Sequence, residues 1–144
     1  MRWAWLPGLR ASLDARYEML KEVKVVKNPS SATIKQKALR VLLIEDSEDD
    51  ALLIIRELKK GGYNPEYRRV ETAAAMKKAI KDDQWDIILC DYSLPKFNAP
   101  QAIRLLRELN TDIPVIIVSG AIGEETAADC MILGARDFIR KSNL

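Results

Sequence analysis

The sequence predicts an α/β domain in which a parallel β-sheet is covered by helices on both faces. From Leu39 onward, short apolar runs alternate with helix-length amphipathic stretches in the order β-α-β-α-β-α-β-α-β. The runs at 41–44, 87–90 and 115–118 are apolar at every position, as expected of strands that are buried on both faces. These observations predict one doubly wound domain over residues 39–144.

The first half of this domain is predicted as a strand, a helix and a second strand. A strand at about 40–45 precedes a helix at about 48–60, for which Ser47 is the candidate N-cap and three acidic residues fill the first turn. A Gly-Gly pair ends that helix. A weaker strand at about 65–70 consists mostly of charged residues, which is typical of an edge strand.

The second half continues the alternation. Leu94-Pro95 marks a loop after the third strand, and Gly134 precedes the last strand. The predicted elements are a helix at about 72–81, a strand at 86–91, a helix at about 99–109, a strand at 115–118, a helix at about 123–133 and a strand at 138–140.

Four of the predicted strands end on polar residues that complement one another chemically. Glu45 and Asp46 follow the first strand, Asp91 the third, Ser119 the fourth and Lys141 the fifth. Because the carboxyl ends of parallel strands meet at one sheet edge, we expect these side chains to converge there. Each has an ordinary alternative: an acidic turn, a loop-capping Asp, a strand-end Ser and a solvated surface Lys. Together they suit a divalent cation and a phosphoryl group.

This pattern over residues 39–144 resembles the receiver domain of bacterial two-component response regulators. Asp46 and Asp91 are 45 positions apart (91 − 46), and Asp91 and Lys141 are 50 apart (141 − 91), both close to the spacing of that family. The segment Asp91-Tyr92-Ser93-Leu94-Pro95 is similar to the family's segment after the phosphoacceptor. The resemblance implies a flavodoxin-like fold with five parallel strands in the order 2-1-3-4-5.

The resemblance also implies a role for each site residue. Asp91 would be the phosphoacceptor, and Lys141 and the Ser119 hydroxyl would bind the phosphoryl oxygens. Ser119 and Phe138 would form the switch that responds to phosphorylation. Magnesium would be bound by the carboxylates of Glu45, Asp46 and Asp91 and by the backbone carbonyl of Ser93.

The implied function is that of a phosphoacceptor in a two-component phosphorelay. The sequence contains no histidine, so a histidine kinase or histidine phosphotransfer protein must bring the phosphoryl group, and a downstream protein must receive the signal. No enzyme activity is expected beyond self-phosphorylation from a donor and slow self-dephosphorylation. The first alternative is a pseudo-receiver that binds partners without phosphorylation. The second is a Mg²⁺-dependent phosphohydrolase, which commonly carries Asp-x-Asp where this sequence has Asp91-Tyr92-Ser93.

The sequence departs from the family at both ends. Ser142 follows Lys141 where receivers usually carry Pro, and the chain reaches Leu144 without a fifth helix. Residues 1–38 are predicted to be an N-terminal extension, with a helix at about 9–25 and a linker. In the family the fifth helix packs beside the first on one face of the sheet. Either the N-terminal helix takes that place, in cis or in a homodimer, or the sequence is a fragment of a longer protein.

Composition restricts the remaining possibilities. Residues 1–40 carry nine Lys/Arg and three acids (+6), whereas residues 41–144 carry fourteen and eighteen (−4). The domain therefore has no basic stripe, and we expect no nucleic-acid binding by this chain. No apolar stretch approaches the roughly 20 residues of a membrane span, so a cytoplasmic location is expected. Cys90 and Cys130 are expected to be reduced structural thiols.

Overall fold

The computed structural model of the protein describes residues 36–92, 94–120 and 124–144. Strands and helices alternate along these residues, as the sequence predicts. The elements are β1 (Lys37–Ile44), α1 (Glu48–Lys60), β2 (Tyr63–Val70), α2 (Ala73–Asp82), β3 (Ile87–Cys90), α3 (Ala99–Glu108), β4 (Val115–Ser119), α4 (Glu124–Leu133), β5 (Asp137–Arg140) and a 3₁₀ turn (Lys141–Asn143).

The five strands form one parallel sheet in the order β2-β1-β3-β4-β5. This confirms the predicted flavodoxin-like order and the prediction that β2 is an edge strand. The described residues contain four α-helices, and a 3₁₀ turn rather than a fifth helix follows β5, as expected. The predicted helix at about 9–25 and its linker lie outside the described residues.

Each face of the sheet has its own apolar core. On one face, four residues of α1 pack against odd-numbered residues of β1, such as Leu39 and Val41, and against Ile116 of β4. On the other face, α2, α3 and α4 pack against Leu42 and Ile88. Because β3 is buried at all four positions, its run of apolar residues matches a strand covered on both sides.

Side-chain caps fix where three of the helices begin. Ser47, Thr72 and Asn98 each accept a hydrogen bond from the backbone N–H three residues later. At the other end of α1, the Gly61 N–H donates to the carbonyl of Glu57 at 3.1 Å. These local signals explain why the predicted helix boundaries are close to the observed ones.

Two strands begin earlier than predicted. β1 begins at Lys37 and β2 at Tyr63, and these two residues pair in the ladder. The Lys37 N–H donates to the Gly62 carbonyl at 2.9 Å. The extra strand residues lack an apolar pattern, and pairing between β1 and β2 determines their conformation. The predicted boundary between an extension at 1–38 and a domain at 39–144 therefore falls inside β1.

Three further observations bear on the predicted thiols, the peptide bond after Lys141 and the possibility of a membrane span. Cys90 and Cys130 are free and buried, and burial raises the pKa of the Cys90 thiol. No peptide bond among the described residues is cis, including the one between Lys141 and Ser142. In the part of the chain that the structure describes, no helix is both long and apolar enough to cross a membrane.

Candidate functional site

The carboxyl ends of the strands bring five of the predicted site residues to one edge of the sheet: Glu45, Asp46, Asp91, Ser119 and Lys141. Ile44 of β1 is level with Cys90 of β3, so the residues that follow, Glu45 and Asp91, lie side by side. The Asp91 N–H donates to the Ile44 carbonyl at 2.8 Å, which extends the ladder by one bond. This edge is where open parallel sheets bind their ligands.

Three carboxylates cluster at this edge. Glu45, Asp46 and Asp91 each present an oxygen, and these oxygens all lie within 4.8 Å of one another. Glu45 is only 1% exposed, whereas Asp46 faces solvent and Asp91 is half-buried. The cluster therefore ranges from the interior to the surface, so it can hold a cation that solvent can reach.

Lys141 follows β5, the edge strand on the opposite side of the sheet from β2, and its side chain reaches this cluster. Its Nζ lies 2.8 Å from Glu45 Oε2 and 3.5 Å from Asp91 Oδ2. Its shortest contact is with Asp50 Oδ2 at 2.7 Å. One ammonium thus bridges carboxylates from the end of β1, the start of α1 and the end of β3.

Burial and pairing act in opposite directions on the pKa values of these groups. Burial raises the pKa of Glu45 and of Asp91, although Lys141 partly offsets the rise in both. Burial would lower the pKa of Lys141, but its contacts with Asp50, Glu45 and Asp91 raise that pKa above its ordinary value. Lys141 is therefore charged at neutral pH. Its contacts more than offset the effect of burial on its pKa, whereas Lys141 offsets only part of the effect of burial on the pKa values of Glu45 and Asp91.

The donor set fits a hard divalent cation. Glu45 Oε2 is buried and lies 2.8 Å from Lys141 Nζ. A carboxylate oxygen can accept more than one contact, so this oxygen retains acceptor capacity toward a cation. Glu45, Asp46, Asp50 and Asp91 carry four negative charges, and Lys141 carries one positive charge. Carboxylate oxygens with an excess of negative charge are what Mg²⁺ and Ca²⁺ prefer.

Of the remaining predicted residues, the structure describes Ser119 and Phe138. Ser119 is the last residue of β4, is 3% exposed and pairs with Arg140, the neighbour of Lys141. Phe138 pairs with Ile117 and packs partly buried against the core on the face of α2 and α3. Ser93, predicted to contribute a backbone carbonyl, lies outside the described residues.

Sequence reasoning missed two residues that contact the site. Asp50 lies in the acidic first turn of α1, and its sequence position predicts only a favourable interaction with the helix dipole. Arg69, at the end of the edge strand, donates through Nη1 to the backbone carbonyls of Glu45 and Asp46 at 3.2 and 3.3 Å. Arg69 therefore fixes the turn that carries the acidic pair. Its only sequence signal is its place directly before the last residue of a charged strand.

Known proteins resemble this chain over most of its length. Residues 41–143 match the family described as "Response regulator receiver domain". The chain is 30% identical over 121 residues, 83% of its length, to the autoinducer 2 sensor kinase/phosphatase LuxQ of Vibrio vulnificus. It is 32% identical over 106 residues, 72% of its length, to the cell cycle transcriptional regulator CtrA of Caulobacter vibrioides. These matches span 14% and 44% of the two relatives.

Solved structures share the fold. The signal receiver domain of a LuxO repressor protein from Vibrio parahaemolyticus matches with a TM-score of 0.64 and 27% identity. That match covers 72% of this chain and 78% of the other. The likeness therefore extends over most of the residues that form the sheet and its four helices.

Proposed function

This chain belongs to the response regulator receiver family of two-component systems, and from this premise we propose that it accepts a phosphoryl group on Asp91. The observation that carries the proposal is the contact of one lysine with several strand-end carboxylates. Lys141 Nζ lies within 3.5 Å of oxygens of both Glu45 and Asp91. An ammonium beside a half-buried carboxylate at a ligand-binding sheet edge can stabilise a phosphoryl group joined to that carboxylate.

In the proposed reaction one bond to phosphorus forms and one breaks. A carboxylate oxygen of Asp91 attacks phosphorus, and the bond between phosphorus and the donor breaks as the donor leaves with the electron pair. The product is an acyl phosphate on Asp91. Lys141 and the Ser119 hydroxyl would then hold the new phosphoryl oxygens, because both reach the same edge.

We propose Mg²⁺ as the cofactor, held by the carboxylates of Glu45, Asp46 and Asp91 and by the carbonyl of Ser93. When bound, it would neutralise the charge of the transferring group and orient that group for attack. The chain's own contribution is to hold the acidic pair in place, through the Arg69 contacts to the turn.

The proposed partners follow from the chemistry of the donor. The sequence has no histidine, so a histidine kinase or a histidine phosphotransfer protein would supply the phosphoryl group. A downstream protein would read the phosphorylated state through a surface that Ser119 and Phe138 switch. Phosphorylation would act by shifting the population of two arrangements of these residues. A homodimer is one form in which the chain would present this surface.

A small phosphodonor tests the proposal directly. Incubation with acetyl phosphate and Mg²⁺ is expected to add about 80 Da, one phosphoryl group, to the intact mass. Chelation of Mg²⁺ should reduce the adduct at least tenfold, since the acidic cluster repels an anionic donor. Absence of any adduct at saturating Mg²⁺ would favour the pseudo-receiver, and multiple turnover of a phosphate ester would favour the hydrolase.

We also propose that the receiver domain begins at Lys37, and that the residues before it are an extension. A chain starting at Gln36 retains all of β1, whereas a chain starting at Leu39 loses the pairing of Lys37 and Ala38 with β2. The shorter chain is expected to melt about 5 °C lower, because one or two ladder hydrogen bonds are lost. Equal melting temperatures in a thermal scan of both chains would restore the boundary at Leu39.

A further inference from the structure

Asp50 makes the shortest contact of the Lys141 ammonium. Its Oδ2 lies 2.7 Å from Nζ, compared with 2.8 Å for Glu45 and 3.5 Å for Asp91. Asp50 and Lys141 are 91 positions apart in the sequence, so no local sequence effect brings them together. In the described structure the lysine is therefore held more closely by Asp50 than by the proposed phosphoacceptor.

The start of α1 leaves the Asp50 carboxylate available for this contact. Ser47 caps the helix, and its hydroxyl accepts from the Asp50 N–H at 3.2 Å. In a capping box the acid at this position would accept from the N–H of the cap residue. Here the Ser47 N–H donates instead to Glu45 Oε1 at 3.0 Å. Glu45 thus takes the place of Asp50 in the cap, and Asp50 turns to Lys141.

We propose that Asp50 is a positioning residue that holds Lys141 back from Asp91 and so makes phosphorylation of Asp91 less favourable. This inference rests on the proposed function. The Lys141 ammonium donates a hydrogen bond to Asp50 Oδ2 at 2.7 Å and lies 3.5 Å from Asp91 Oδ2. Movement of the ammonium toward a phosphoryl group on Asp91 would weaken its hydrogen bond to Asp50, so the two acceptors compete. The ion pair therefore favours the unphosphorylated protein.

The test compares neighbouring acids in the same helical turn. With acetyl phosphate and saturating Mg²⁺, Asp50→Asn is expected to be phosphorylated about 3- to 10-fold faster than the wild type. Asp49→Asn removes an equal charge from an exposed neighbour and should change the rate less than twofold. Asp50→Glu restores the carboxylate and should return the rate toward that of the wild type.

Dependence on Lys141 separates positioning from general electrostatics. In a Lys141→Met background, Asp50→Asn should change the rate less than twofold, because the group it acts through is gone. Lys141→Gln serves the same purpose if the Met variant is unstable. An equal acceleration with and without Lys141, or slower phosphorylation of Asp50→Asn, would overturn the proposal.

A second measurement does not require phosphorylation. Without donor or Mg²⁺, a double-mutant cycle of Asp50→Asn and Lys141→Met should show about fivefold coupling in the unfolding equilibrium constant. Coupling below twofold would show that Asp50 does not hold Lys141. A wild-type protein that takes up no phosphoryl group would overturn the proposed function, while the cycle would still decide whether Asp50 positions Lys141.

Discussion

Replacement of Asp91 by Asn is expected to abolish phosphorylation of this protein while leaving it folded. Asparagine has nearly the same shape but no anionic oxygen to attack phosphorus. Intact mass after incubation with acetyl phosphate and Mg²⁺ should show no adduct in Asp91→Asn, a loss of at least about 100-fold in rate. Asp112→Asn, which changes an exposed carboxylate outside the site, should be modified like the wild type.

The stability of the same variant separates lost chemistry from misfolding. Burial raises the pKa of Asp91, so at neutral pH its ionised carboxylate lowers the free energy of unfolding. The neutral amide of Asn removes both this desolvation cost and the repulsion from Asp46. The melting temperature of Asp91→Asn should therefore be no lower than that of the wild type. A full-mass adduct on a folded Asp91→Asn protein would show that another residue is the phosphoacceptor.

Replacement of Lys141 by Met is expected to have the second-largest effect, on stability as well as on chemistry. The Lys141 side chain is 16% exposed and contacts three carboxylates, of which that of Glu45 is 2% exposed. Among the described residues, no other Lys or Arg lies within ion-pair distance of Glu45 or Asp91. Removing one partner of a buried pair leaves an uncompensated charge, so the free energy of unfolding should fall by about 3 kcal/mol without Mg²⁺.

A divalent cation distinguishes this explanation from simple loss of packing. Mg²⁺ can compensate the stranded carboxylates, so it should raise the melting temperature of Lys141→Met more than that of the wild type. Phosphorylation at saturating Mg²⁺ should still be about 10- to 100-fold slower, because the ammonium no longer stabilises the phosphoryl oxygens. Arg140→Met removes the exposed cation directly before Lys141 and should match the wild type in stability and in phosphorylation rate. If both variants lose equal stability, Lys141 does not neutralise the cluster.

Local signals account for the parts of the fold that were predicted correctly. Ser47, Thr72 and Asn98 are polar caps that determine helix starts wherever the chain is placed. The apolar run of β3 identifies a strand covered on both faces without any knowledge of its neighbours. The strand order required more than periodicity, and the resemblance to receiver domains supplied it.

The start of β1 shows where local signals fail. Lys37 and Ala38 have no apolar alternation, and they become strand because β2 offers a continuous set of backbone partners. Arg69 illustrates the same limit in the site, because charged residues are common on edge strands and most of them simply face solvent. Its selection of the Glu45 and Asp46 carbonyls depends on how the β1–α1 turn is folded.

The sequence by itself determined the class of fold, the order of the elements and the residue types at the strand ends. It could do so because hydrophobic period, caps and turn residues act within a few positions of the chain. Only the tertiary structure decided which of four acids Lys141 contacts most closely. That choice depends on the relative positions of α1, β3 and the turn after β5, which lie up to 91 residues apart. Distances across such separations are set by packing of the whole sheet, so Asp50 becomes visible as a partner of Lys141 only in the folded protein.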